Sequence, residues 1–195
     1  MSVRSSSSGQ GGPRRAPRAD AQRNRDLLLV AASEVFDERG PDAPLDEIAR
    51  RAGIGNATMY RHFPDRRELL IAVYADEVTA LCKQGEAMLE SQSPEEALFA
   101  WLRAFIAHVA TKRHLAFAIP RDHESERSAQ FDQWHAAMRS TATALLTRAR
   151  SAGVVRADVN VADLLAVASG IAVAAAVDDD QTERCLELLR HGVAR

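Results

Sequence analysis

The chain has 195 residues, 46% of them hydrophobic and 27% charged, the balance of a soluble globular protein of one ordinary domain or two small ones. Two widely separated cysteines, Cys82 and Cys185, give neither a disulfide framework nor a CxxC metal motif, and the fourteen low-charge residues 164–177 are too few to span a bilayer. The net charge of −2 is unevenly laid out: residues 1–25 hold six arginines against one acid, Asp20, and residues 1–70 hold twelve arginines against ten acids. The excess of acid therefore lies in residues 71–195, and a basic front on an acidic body points to an anionic partner for the front.

Residues 1–18 are rich in Ser, Gly, Pro and Arg and predict a disordered basic arm, either a solubilising tail or an extra nonspecific contact to nucleic acid. No apolar run follows its charges, so it does not read as a secretory signal, and a reducing cytoplasm is the expected setting. From Ala19 to Arg39 a helical period sets in, with Leu28, Ala31, Ala32, Val35 and Phe36 on one face and Gly40–Pro41 as the stop. Short helices follow over Leu45–Ala52 and Asn56–Phe63, joined by a tight turn at Gly53.

Asp65 can cap the next helix, with Glu68 three residues on, and that helix runs to about Glu90. Ser93, Pro94 and Glu96 form a stronger start signal for a helix to about Phe117. A polar loop around Pro120–Glu126 precedes a long helix, Arg127–Ala152, ended by Gly153. Asn160 is placed to cap a helix at 161–177, and a last helix covers 181–192. No stretch alternates with period 2, so the chain reads as all-α, with about nine helices.

Functional chemistry concentrates in GIGNATMYRHFPDRREL, residues 53–69. Met59 and Phe63 are four apart and point inward; Asn56, Ala57, Tyr60 and Arg61 then fall on the opposite face. A helix packed only for stability has no use for such a face. With Gly53 at the turn, the layout is that of a helix-turn-helix, its second helix offered to a groove of double-stranded DNA. Arg61 can donate a bidentate pair to guanine, Asn56 can read adenine, and Ala57 can touch a thymine methyl. Thr58, Tyr60 and His62 suit phosphates, as does Arg66 in the first turn of the following helix. Five arginines against Asp65 over residues 50–67 supply the charge for salt-sensitive binding. Either Gly55 or Asn56 must cap the short helix, and a capping Asn56 would not read a base.

These pieces, AASEVFDERG, LDEIARRAGI and ATMYRHFPDRREL at their spacing, resemble the DNA-binding domain of the TetR family of bacterial transcription regulators over residues 23–70. The resemblance implies phosphate contacts by Thr58, Tyr60, His62 and Arg66, the last where the family usually carries lysine. It departs at Gly55, where the family commonly has Ser.

It also implies a helix-turn-helix domain at 19–70 and a larger helical domain at 71–195 that binds a small-molecule effector and forms a homodimer. For the effector pocket the expected lining is Trp101, Phe105 and His108 on one stripe and Phe131, Trp134 and Met138 on another, although such stripes are more often plain core. For the dimer interface the expected residues are Ala166, Ser169, Gly170, Ala174, Leu186 and Leu189, against the alternative of core packing within one chain. No cofactor, metal site, membrane association or catalytic motif (GxSxG, P-loop, HExxH) is expected. The resulting expectation is a repressor released from a palindromic operator by a small molecule. A helical enzyme or a nonspecific DNA-coating protein are the competing classes.

Overall fold

The computed structural model describes residues 17–91, 93–118, 124–174 and 179–194. Residues 1–16 of the expected arm and 120–123 of the expected loop lie outside these residues; residues 17–18 and 124–126, expected in the arm and the loop, are helical. The described residues form eight α-helices: α1 (Pro17–Arg39), α2 (Leu45–Ala52), α3 (Asn56–His62), α4 (Arg66–Met88), α5 (Pro94–Ala118), α6 (Glu124–Ser151), α7 (Val161–Ala174) and α8 (Asp179–Val193). They contain no strand, only an isolated bridge between Val155 and Ala194.

The punctuation residues act locally as expected. Gly40, Gly53 and Gly153 adopt the left-handed conformation, φ +82°, +68° and +72°, at the ends of α1, α2 and α6. The Asp65 carboxylate accepts from the Glu68 amide at 2.8 Å, Ser93 Oγ from Glu96 at 3.3 Å, and Asn160 Oδ1 from Asp163 at 2.8 Å. Each cap satisfies a helix-end amide that has no partner within its helix.

Leu28, Ala32, Val35 and Phe36 of α1, Ile48 and Ala49 of α2, Met59 and Phe63 at α3, and Leu69, Leu70 and Val73 of α4 are buried together. Arg51 donates to both Glu38 oxygens at 2.6 and 2.8 Å, and Arg39 meets Glu47 at 2.6 Å, closing α1 against α2. The Arg25 guanidinium lies 5.6 Å from the Phe63 ring centroid.

Helix α4 begins in this head, crosses the expected boundary at residue 70 and enters the larger part. There it packs on α5 and α6 at a very close approach. A Cβ on Gly85 would lie 2.2 Å from Thr141 Cγ2 and 2.7 Å from Trp101 Nε1, so only glycine fits. The buried Trp101 indole donates to the Leu81 carbonyl at 3.0 Å, one turn earlier.

Helices α5 and α8 run antiparallel under two charge clamps of opposite polarity. Arg103 grips both oxygens of Glu183, one at 2.6 Å. Seven residues away on each helix, Arg190 reaches Glu96 at 2.6 Å while lying 4.6 Å over the Phe99 ring. No helix of the described residues is long and apolar enough to cross a membrane, and none of their His, Cys, Asp or Glu side chains group as a metal site.

Candidate nucleic-acid interface

The turn between α2 and α3 is built by glycine. Left-handed Gly53 lets its own amide bond the Arg50 carbonyl at 3.2 Å and the Ile54 amide bond that of Ala49 at 2.9 Å, which ends α2. Ile54 packs, half-buried, into the angle between the helices. Gly55, extended at φ −67° and ψ 142°, is the N-cap, its carbonyl accepting from Thr58 at 2.8 Å and Met59 at 3.1 Å. This resolves the capping alternative: the cap position is Gly55, and Asn56 is the first helical residue, exposed.

Helix α3 is held by Met59, fully buried, and by Phe63, whose amide bonds the Met59 carbonyl at 2.8 Å. Pro64 then breaks the helix and Asp65 starts the next. With that face fixed, Asn56, Ala57, Tyr60 and Arg61 are exposed, Tyr60 by 45%, while Thr58 and His62 are half-buried at the flanks. Arg61 lies along its helix, Nε donating to the Ala57 carbonyl at 3.2 Å.

The local charge is smaller than the arginine count suggests. The Arg51 guanidinium is paired with Glu38 and holds that carboxyl below the usual carboxylate range. Arg50 approaches Glu47 at 3.4 Å. Both acids lie outside residues 50–67, so counting within that window missed them. Arg66 makes contacts the sequence did not reveal: its Nη1 donates to the carbonyls of Pro41 and Ala43, both at 2.7 Å, in a part-buried setting.

The two aromatic stripes of the larger part are brought together, around a residue the sequence reading did not single out. Tyr74 of α4 is buried with ring centroids 5.4 Å from His108, 5.7 Å from Phe131 and 4.8 Å from Trp134. Burial pushes its phenol pKa up. The signal available in sequence was a lone tyrosine on the apolar face of α4.

Trp101 is placed as core, stacked on Phe105 at 5.6 Å, and Met138 is buried. His108 also borders a groove of about 320 Å³ between α4 and α5, with Glu77, Leu81, Gln84 and Ala104. Of the residues expected at an interface, Ala166, Gly170 and Ala174 are exposed on α7, and Ser169 and Leu189 are half-buried. Leu186 is only 2% exposed and packs inside the subunit, whereas its neighbour Leu188 is 72% exposed. Val167 and Val173 stand outward with the small residues, 48% and 58% exposed.

Comparison with known proteins agrees with this geometry. Residues 28–73 match the family of bacterial regulatory proteins of the tetR type, and residues 93–195 match the C-terminal domain of SbtR-like transcriptional regulators. A TetR transcriptional regulator of Streptomyces coelicolor is 38% identical, with 87% of this chain and 98% of that one covered and a TM-score of 0.74. A TetR regulatory protein of Mycobacterium vanbaalenii is 34% identical, with 91% and 99% covered and the same TM-score, 0.74. The HTH-type transcriptional activator FasR of Mycolicibacterium smegmatis is 48% identical over 64 residues, 32% of this chain and 29% of its own length. These relatives are transcriptional regulators, not enzymes, and this chain, with its helix-turn-helix head and helical body, belongs to the TetR family of DNA-binding transcription regulators.

Proposed function

We propose that the protein is a homodimeric repressor that holds a near-palindromic operator and is released from it by a small molecule. The observation that carries the reading is the face of α3: four exposed groups suited to base edges and phosphates on a helix immobilised by Met59 and Phe63. Thr58, Tyr60 and His62 would grip phosphates while Arg61 and Asn56 read bases. Asn56 is available for that role because the cap position belongs to Gly55.

The dimer reading rests on α7 and α8. Ala166, Val167, Gly170, Val173 and Ala174 make a continuous apolar outer face on a helix whose other side, with Leu164, Ala168 and Ile171, is already in the core. Leu188 of α8 is a second large apolar group left outside. A copy related by a two-fold axis would cover such a face, and the two α3 helices would then meet two half-sites.

Effector response is supported by continuity. The aromatic groups converge on Tyr74, and Tyr74 belongs to the helix that starts in the DNA-reading head. Ser33 of α1 donates to Glu77 of α4 at 2.5 Å, a second tie between the head and that helix. A ligand that favours one placement of α4 would favour one spacing of the heads, acting through its differential affinity for the two states.

The sign of regulation follows from where the operator lies relative to the promoter; the activator FasR is similar to this chain over 64 residues, 32% of the chain. Footprinting of the purified protein on an operator fragment tests the proposal, together with its stoichiometry. Two symmetric protected segments, about one helical turn or a multiple apart, with two chains bound, are the expected result. A single protected segment occupied by one chain would refute the dimeric reading.

A further inference from the structure

We infer that Arg61 and Ala57 act as one reading unit for a thymine–guanine step, Arg61 taking the guanine and Ala57 the methyl group of the thymine beside it on the same strand. The inference rests on the DNA-reading role of α3 proposed above and goes on to the bases that this face selects.

Arg61 is held before any DNA arrives. Its Nε donates to the Ala57 carbonyl at 3.2 Å, one helical turn back. That bond occupies only Nε. Both Nη groups remain for a pair of acceptors, and guanine presents such a pair in the major groove, N7 and O6. A stem already bonded to its own helix lowers the ordering cost of so long a side chain when the guanine is met.

Ala57 supplies the other half. It is the one side chain without a polar group among the exposed Asn56, Ala57, Tyr60 and Arg61. Met59, the other apolar side chain of α3, is fully buried. A methyl group turned to a groove of donors and acceptors gains nothing from them. The C5-methyl of thymine is the apolar group that base edges present there.

The bond between the two residues sets their spacing. Side chains four residues apart on a helix stand about 6 Å apart along its axis. That is nearly two base-pair steps of about 3.4 Å. Drawn back to the Ala57 carbonyl, the guanidinium lies within about one step of the Ala57 methyl. The two groups therefore meet neighbouring base pairs. The flat, weakly hydrated face of the guanidinium then covers the same thymine methyl from its other side.

The test uses the full chain and a duplex selected by the wild type. Arg61→Ala, in competition with singly substituted duplexes, locates the guanine that Arg61 reads. Deoxyuridine then replaces the thymine next to that guanine on the same strand. This removes one methyl group and leaves every hydrogen-bonding group of the base in place. The wild type is expected to lose about fourfold in affinity, the worth of one buried methyl. Ala57→Gly is expected to bind the thymine and uracil duplexes within about 1.5-fold of each other.

A selected half-site with no thymine beside that guanine overturns the inference. So does Arg61→Ala that relaxes preference at no guanine, a wild type indifferent to uracil, or an equal loss on uracil in the wild type and in Ala57→Gly. If Ala57→Gly does not fold, Ala57→Ser, which sets a hydroxyl on the same Cβ, takes its place under the same criterion. A wild type that selects no duplex refutes the DNA-reading role of α3 and this inference with it. A selected duplex that is bound equally well with uracil refutes this inference alone.

Discussion

Gly85→Ala adds a single methyl group at the point where three helices meet. The added Cβ would lie 2.2 Å from Thr141 Cγ2 and 2.7 and 2.8 Å from Trp101 Nε1 and Cδ1, against an ordinary carbon–carbon contact of about 3.5–4.0 Å. Neither neighbour can step aside cheaply. Thr141 is β-branched, in the middle of α6, with its hydroxyl bonded to the Ala137 carbonyl at 3.2 Å. Trp101 is fully buried and held by its bond to the Leu81 carbonyl.

Overpacking of this kind costs about 1–3 kcal/mol, and straining the buried indole bond adds about 1 kcal/mol. The better helix propensity of alanine returns about 1 kcal/mol. The net expectation is about 1–3 kcal/mol of destabilisation, a fall in Tm of roughly 3–10 °C for a chain of this size. Thermal unfolding followed by circular dichroism at fixed subunit concentration reads it. Gly192→Ala, on the exposed side of α8, is the control: nothing lies within 4 Å of that Cβ, so strain is not expected there. A Gly85→Ala protein as stable as the wild type would refute the close-approach argument.

Other consequences follow from the surface and the clamps. Tyr60→Ala should weaken binding to every duplex, whereas Arg61→Ala should also relax preference at one base pair, by about 1–3 kcal/mol, as read by competition with singly substituted duplexes. Val173→Arg should shift the protein toward monomers in sedimentation and lower operator affinity with it; an unchanged dimer would remove α7 from the interface. Arg103→Glu should loosen α8 from α5, and adding Glu183→Arg should recover most of the loss, since the pair is bidentate although half-exposed. Arg103 and Arg190 hold the carboxyls of Glu183 and Glu96 below the usual carboxylate range. Their stabilisation is therefore complete above that range and fades as pH falls through the lowered values; Glu96→Gln with Glu183→Gln should flatten acid unfolding there.

The head was legible in sequence because its signals are local. Gly40, Gly53 and Asp65 each act on their own helix end, and the Met59–Phe63 spacing alone orients α3. Features that depend on residues distant in sequence were not legible. The bonds of Arg66 to the carbonyls of Pro41 and Ala43, both at 2.7 Å, join residues more than twenty apart, and the sequence shows only that Arg66 stands in the first turn of α4. Tyr74 gains significance only when α5 and α6 bring His108, Phe131 and Trp134 to it, and Gly85 only when Thr141 and Trp101 press on it. On α7 the apolar pattern runs almost all the way round, so periodicity could not separate Leu164 and Ile171, which face the core, from Val167 and Val173, which do not. The same ambiguity put Leu186 rather than Leu188 at the surface of α8.

Helix α3 is proposed to read sequence in a DNA groove, in a two-fold arrangement. Selection from a pool of random and genomic duplexes by the purified, ligand-free protein at near-physiological salt tests it most directly. Enrichment of one near-palindrome is expected, lost when Tyr60 and Arg61 are replaced together by alanine. Equal retention of all sequences by the folded protein, with one salt slope for every duplex, would contradict it.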